Sequence, residues 1–144
     1  MIEQLAIFSE NKPGKLERIT EALAKANVNI RALHVASLGD MGVIKLVVDR
    51  PDEAFAALGA PVAIRKIPCV AVRVPDRPGS LHEVTRVLSQ AGINIENASG
   101  FAVSRAEAIL ILEVADVPAA ERALAEAEFK TCLLYTSPSP RDRS

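Results

Sequence analysis

The chain has 144 residues, a formal net charge of -1, and 49% apolar but only 3% aromatic side chains. Near-neutral charge and few aromatic residues argue against the basic surface and stacking platforms of a nucleic-acid binder. The apolar runs are too short to span a membrane, and the first residues lack the basic start and apolar stretch of a secretion signal, so we expect a cytoplasmic protein with neither nucleic acid nor membrane as partner.

The first part of the chain predicts a β-α-β-β-α-β order. Apolar residues recur at helical spacing from Leu16 to Ala26, and Asn27 can take the left-handed conformation that ends such a helix. Pro51 and Gly59 mark the start and end of a second, shorter helix. The predicted strands cover residues 3–9, 28–37, 42–49 and 62–67, and the predicted helices cover 16–26 and 51–58.

The second part repeats this order, because one loop motif is written twice. The segments Asn11-Lys12-Pro13-Gly14-Lys15-Leu16 and Asp76-Arg77-Pro78-Gly79-Ser80-Leu81 lie 65 positions apart, and each precedes a helix pattern and an Asn-Ile pair. Two units of about 65 residues are each marginal alone and should need each other. The predicted strands of the second unit cover 70–74, 93–103 and 108–114, its helices cover 81–91 and 117–127, and 128–135 occupies the place of a damaged last strand.

This order predicts an α+β fold of two ferredoxin-like βαββαβ units, in which both helices cover one face of an antiparallel sheet. The stretch from Val43 to Val48 is apolar at nearly every position, which is more than a sheet with one solvated face requires. We therefore expect the other face or edge to be partly covered, with the second unit or another subunit as the candidate.

The repeated loop can bind a carboxylate and an amine together. Pro-Gly stands where the helix begins, so a ligand can approach the glycine backbone, and the unpaired amides of the first turn favour an anion. Asn11 and Asp76 carry oxygen atoms that can hold an ammonium group. A carboxylate with an ammonium group indicates an amino acid. Because Asp76 adds a charge that Asn11 lacks, the second site should prefer a cationic amine more strongly.

Each of these features also has a purely structural interpretation. Asn29 and Asn94 open the second strand of each unit and could reach the same ligand across a pair of units, but they could equally be turn residues after a helix end. An Asn or Asp before Pro-Gly commonly caps the helix or bonds its own backbone. The ligand interpretation depends on the recurrence of all the pieces in two copies.

The remaining reactive side chains do not predict a catalytic or metal site. Cys69 stands alone in an apolar strand, which is typical of a buried thiol, and the two cysteines lie far apart in the sequence. His34 and His82 lack metal ligands or a nucleophile at suitable spacing. We find no phosphate-binding loop and no nucleophile with a base. We therefore expect no enzyme activity, no metal and no cofactor.

Residues 132–144 differ in character from the rest of the chain. Residues 132–142 resemble the translation of an adapter used in sequencing libraries, and a natural flexible tail rich in Pro and Ser is the alternative. We expect a non-native tail that leaves the second unit truncated at its C-terminal end. The predicted domains are residues 1–68 and 69–131, followed by this tail.

Both copies resemble ACT domains, small amino-acid-sensing modules of amino acid metabolism. The resemblance rests on a polar residue followed by x-Pro-Gly-x-Leu, a helix, and Gly/Asn-Val/Ile-Asn-Ile at the second strand. It implies that such domains pair side by side into one larger sheet, with ligands at the seam between the loop of one domain and the second strand of its neighbour. The matching positions are Asn11, Pro13, Gly14, Lys15, Leu16, Asn29 and Ile30, and Asp76, Pro78, Gly79, Ser80, Leu81, Asn94 and Ile95.

The resemblance implies a non-catalytic sensor that binds a free amino acid and transmits its occupancy through pairing, as a homodimer. The alternative is an interaction module, similar to the small regulatory subunit of acetolactate synthase, that docks a biosynthetic enzyme. The apolar stretch from Val43 to Val48 motivates this alternative.

Overall fold

The computed structural model describes residues 1–59 and 63–131, which form two compact units. Residues 3–59 and 63–67 make up the first unit, and residues 1–2 and 68–131 make up the second. The predicted tail at 132–144 lies outside the described residues, as do the end of the predicted last strand and residue 62 of the predicted fourth strand.

Strands and helices follow the predicted βαββαβ order twice, which confirms the α+β, ferredoxin-like prediction. The first repeat comprises β1 (Ile2–Glu10), α1 (Lys15–Lys25), β2 (Ile30–Leu38), β3 (Met41–Val48), α2 (Pro51–Leu58) and the start of β4 (Ala63–Pro75). The rest of β4 begins the second repeat, which continues with α3 (Ser80–Gln90), β5 (Ile95–Ala102), β6 (Glu107–Val114), α4 (Val117–Glu126) and β7 (Lys130–Thr131).

Each repeat arranges its strands with the first and third in sequence at the centre. The order is β2-β3-β1-β4 in the first repeat and β7-β4-β6-β5 in the second. In the first repeat Leu5 lies opposite Leu46 and Ile7 opposite Ile44. Directly opposed residues of antiparallel strands share one face of the sheet, so this register places the four apolar side chains together.

Two separate hydrophobic cores hold the helices against the sheets. In the first unit α1 buries Ile19 and Leu23 beside Leu5 and Leu46 of the sheet. In the second unit the corresponding core contains Val84, Leu88, Leu112 and Leu124. Each fully buried leucine contributes roughly 2 to 3 kcal/mol relative to an exposed one. The helical spacing of these residues in the sequence therefore explains which helix face is inside.

The face of the first sheet that points away from its helices is also partly buried. Ile44, Leu46 and Val48 belong to the core under the helices, whereas Val47 points the other way and has no exposed surface. Ala6, on β1, is likewise fully buried without belonging to that core. The burial of Val47 and Ala6 confirms the prediction that the other face or edge is partly covered.

The strand β4 departs from the sequence prediction, which placed separate strands at 62–67 and 70–74. In the structure one strand runs from Ala63 to Pro75 and passes through Pro68. The fixed φ of proline is compatible with extended backbone, and proline removes only one hydrogen-bond donor from the ladder. Apolar neighbours on both sides of Pro68 therefore continue the strand.

Strands β2 and β5 begin two residues later than predicted, because the backbone before each strand forms hydrogen bonds with the end of the preceding helix. The amide of Val28 donates to the carbonyl of Leu23 and that of Ile93 to Leu88, each at 2.9 Å. Such bonds close a helix around a left-handed residue. Asn27 (φ 57°) takes that conformation, as the sequence predicts, and Gly92 (φ 74°) takes it in the second unit.

Candidate functional site

The two Pro-Gly loops place a left-handed glycine at the start of a helix. Gly14 has φ 88° and Gly79 has φ 91°, and neither helix receives a side-chain cap. A Cβ atom built on either glycine would meet no atom within 4 Å. Both loops are therefore open to an approaching ligand. The sequence predicts such a close approach to the glycine backbone.

The first-turn amides of these helices are only partly used. Lys15 donates to the carbonyl of Lys12 at 3.3 Å, and Arg18 donates to Gly14 at 3.1 Å. Between them, the amides of Leu16 and Glu17 have no backbone acceptor among the described residues. Free amides at the positive end of a helix dipole can bind a carboxylate.

Asn11 and Asp76 do not cap their helices, so the helix-capping alternative is absent from both loops. The Asn11 side chain donates to the carbonyl of Gly39 at 3.5 Å, at the weak limit of a hydrogen bond. The Asp76 backbone amide donates to Ala106 at 2.9 Å. Its carboxylate forms no hydrogen bond or ion pair within the part of the chain that the structure describes. Asp76 can therefore accept a ligand ammonium group.

The charges around the two loops differ. In the first loop the Lys12 ammonium lies 2.8 Å from Glu10, and this hydrogen bond, with the Lys12 charge and a smaller effect of Lys15, lowers the pKa of Glu10. The same contact raises the pKa of Lys12. In the second loop Arg77 and Glu83 are 3.8 Å apart, a looser pair.

Two of the predicted loop positions differ in their contacts between the two copies. Ser80 is buried and its hydroxyl donates to the carbonyl of Pro75, so it braces the loop from inside. Leu16 packs against the first core, whereas Leu81 is 53% exposed. The matched sequence positions are therefore not equivalent surfaces.

A clamp that the sequence did not predict holds the segment around Asn29. The Asn29 amide donates to the Asp49 carboxylate at 2.9 Å. The Arg50 guanidinium donates to the carbonyls of Ala26 and Asn27 at 2.7 and 2.6 Å. Arginine at a helix C-terminus satisfies carbonyls that the helix leaves unpaired. The only sequence signal is an Asp-Arg pair between the third strand and Pro51.

In the second unit Asn94 and Ile95 line a shallow, open groove of about 430 Å³. The other lining residues are Thr85, Ser89, Gly92 and Ile93, so the groove lies where α3 ends and β5 begins. Polar hydroxyl and amide groups border it, with one apolar wall. The predicted partner-side residues of this copy are thus accessible.

The structure does not bring the loop and the partner-side asparagine of one unit together. The loop containing Gly14 precedes α1, and Asn29 follows it, while α1 has 11 residues. A helix of that length spans roughly 16 Å. A free amino acid cannot bridge this distance, so the loop and the asparagine of one unit cannot contact the same ligand molecule.

The other candidate groups do not assemble. His34 and His82 are exposed, and Cys69 is a buried free thiol. Within residues 1–59 and 63–131, no three His, Cys, Asp or Glu side chains are grouped so that they could hold a metal ion. Over the same residues no helix has the length and hydropathy to cross a membrane.

Comparison with known proteins identifies both halves of the chain. The ACT domain family model matches residues 70–129, and the model described as an AHAS small subunit-like ACT domain matches residues 5–71. No curated protein sequence matches the chain significantly.

Solved structures extend the similarity over nearly the whole chain. A protein from Bacteroides thetaiotaomicron is 32% identical, with 93% of each chain covered and a TM-score of 0.87. The regulatory subunit of aspartate kinase from Thermus thermophilus is 18% identical over 88% of this chain and 92% of its own, with a TM-score of 0.67, and shares the fold. The chain therefore belongs to the ACT domain family and carries two ACT domains in tandem.

Proposed function

We propose that the chain is a non-catalytic regulatory protein that binds a free amino acid at its Pro-Gly loops. The observation that carries this proposal is the pair of uncapped helix starts at Gly14 and Gly79, each with open space above a left-handed glycine. The ligand carboxylate binds the free first-turn amides, and its ammonium group binds Asn11 or Asp76. Membership of the ACT family supports the assignment.

Pairing with another unit completes the proposed site, because Asn29 is a helix length away from its own loop. The edge strand β2 is suited to such pairing. Its residues Leu33 and Val35 are 52% and 50% exposed, and they lie opposite the core residues Leu46 and Ile44. An edge strand with exposed large apolar side chains is a template for association with another chain. We therefore infer a homodimer that pairs through β2.

Titration calorimetry of the chain against the twenty amino acids tests the proposal. We expect one or a few to bind, and binding by none would refute amino acid sensing. A variant with Gly14→Val and Gly79→Val should lose binding, because a β-branched residue disfavours the left-handed conformation that opens the loop. Leu58→Ala, which weakens the core away from the loops, serves as the control and should retain binding. Retained binding in the double glycine variant would refute the loop site.

The second candidate function is docking of a biosynthetic enzyme as its regulatory subunit. The match of residues 5–71 to an AHAS small subunit-like ACT domain favours it. The measurement is purification from cells that produce the chain at its native level. A catalytic subunit in fixed stoichiometry supports docking, whereas a homodimer alone contradicts it.

A further inference from the structure

The second unit contains another groove, and none of the predicted site residues lines it. It has a volume of about 420 Å³ and lies between the end of β4, the first turn of α3, the start of β6 and the segment joining α4 to β7. Val74, Pro75 and Phe129 give it an apolar wall. Arg73, Glu83, Glu107, Glu128 and Lys130 provide its charged groups.

The charged groups of this groove are unevenly paired. Arg73 forms an ion pair with Glu107 at 3.1 Å. It also lies directly opposite Lys130 in the pairing of β4 with β7, and like charges in that position repel. Neither Lys130 nor Glu128 has an ion-pair partner in the described residues, and Glu83 has only the 3.8 Å contact with Arg77. One cation and one carboxylate are therefore free for a ligand, and the Glu83 carboxylate is held only by a loose contact.

Glu128 has an unusual backbone conformation. Its φ is 67°, and Asn27 is the one other non-glycine residue with positive φ in the described part of the chain. Asparagine tolerates this region, but a glutamate there costs about 1 kcal/mol or more. After α2 and α3 the residue with positive φ is a glycine, Gly59 and Gly92 respectively. A strained glutamate thus occupies a position at the groove that a glycine could occupy without strain.

The first unit does not reproduce these charges. The positions equivalent to Arg73 and Glu83 are occupied by Phe8 and Arg18. Met41 is equivalent to Glu107, because it lies opposite Glu10 as Glu107 lies opposite Pro75. Two of the three charges are lost, and the third is reversed. The described residues of the first unit therefore lack the Arg73–Glu107 pair and the Glu83 carboxylate of this groove.

We propose that this groove is a second ligand site, separate from the Pro-Gly loop, and that it binds a basic amino acid; the inference rests on the proposed function as an amino-acid-binding protein. Lys130 binds the α-carboxylate, and Glu83 and Glu128 bind the two ammonium groups. The methylene chain lies against Val74 and Phe129. A basic amino acid carries two positive groups and one negative group, which complements the free Lys130 and Glu128 and the loosely paired Glu83.

Calorimetry of the full chain with L-lysine and L-norleucine tests this, because norleucine has the same chain without the terminal amine. We expect lysine to bind about tenfold tighter, the effect of one charge-assisted hydrogen bond. Glu128→Gln and Glu83→Gln should each remove about that factor for lysine. Only the variant that loses the partner of the terminal ammonium group should leave norleucine unchanged, and the other should weaken both ligands. Glu126→Gln, an exposed neighbour outside the groove, is the matched control and should leave both unchanged.

A variant that raises the stability of the fold distinguishes a loss of binding from a loss of folding. Glu128→Asn relieves the left-handed strain, so we expect a higher melting temperature together with weaker lysine binding. Equal affinity for lysine and norleucine, or lysine affinity unchanged by Glu128→Gln, would overturn the groove site. If neutral amino acids bind while lysine shows no preference, the groove is refuted and the proposed function stands. Binding by no amino acid refutes both.

Discussion

Replacing Arg50 by alanine should destabilise the first unit and loosen the segment that presents Asn29. The guanidinium donates to the carbonyls of Ala26 and Asn27 at 2.7 and 2.6 Å. Both carbonyls belong to the C-terminal end of α1, where the helix supplies no partner and its dipole is negative. Alanine removes both hydrogen bonds and the favourable charge.

The expected loss of unfolding free energy is about 2 kcal/mol. A hydrogen bond from a charged donor contributes about 1.5 to 3 kcal/mol. Arg50 is only half-buried, so water can replace part of both bonds, and we take less than half of their sum. For a unit of this size about 1 kcal/mol corresponds to roughly 4 to 8 °C, so the melting temperature of the first unit should fall by roughly 8 to 16 °C.

Urea denaturation followed by circular dichroism measures the loss, and hydrogen exchange at the Asn29 amide reports the local loosening. Arg50→Lys keeps the charge but not the two-pronged donor, and should recover about half of the loss. Arg18→Ala, on an exposed position of α1, is the control and should cost less than about 0.5 kcal/mol. A loss below about 0.5 kcal/mol for Arg50→Ala would refute this reasoning.

Three further changes have definite expected outcomes. Leu23→Ala empties a fully buried position and should cost about 2 to 5 kcal/mol in urea denaturation, and a smaller cost would mean that the core closes around the cavity. Leu33→Lys with Val35→Lys should shift the proposed homodimer to monomer in sedimentation velocity, while an unchanged dimer would place the interface elsewhere. Lys12 lowers the pKa of Glu10 in the folded protein. The contact therefore stabilises the fold at pH values above the unfolded pKa of 4.5, and this stabilisation is lost as the pH falls through the lower folded pKa. Between pH 6 and 3 the wild type should therefore lose slightly more stability than Lys12→Gln, and parallel curves would contradict the ion pair.

Sequence periodicity was sufficient for the elements because local and tertiary preferences agree in this chain. The stripe containing Ile19 and Leu23 predicts both the helix and its buried face, and Asn27 marks its end. The continuous strand β4 was missed for a physical reason. A proline usually ends a strand, and the sequence alone does not show that the sheet tolerates one missing donor at Pro68.

The candidate site was only partly predictable, since its details depend on contacts between distant residues. The loops are local motifs, so Gly14 and Gly79 could be identified from the repeat. The Arg50 clamp joins positions 24 residues apart, and the groove around Glu128 joins four separate segments. No local pattern encodes such contacts. Whether Ser80 points inward likewise depends on the carbonyl it meets.

The placement of each Pro-Gly loop one helix length from its asparagine has a consequence for the proposed response to an amino acid. With the proposed half-sites on different partners, the apparent affinity would depend on how much of the protein is already paired. A dilute preparation should respond only at high ligand concentration, and a concentrated one at low concentration. The threshold of the sensor would then be set by the abundance of the chain in the cell as well as by the chemistry of its loops.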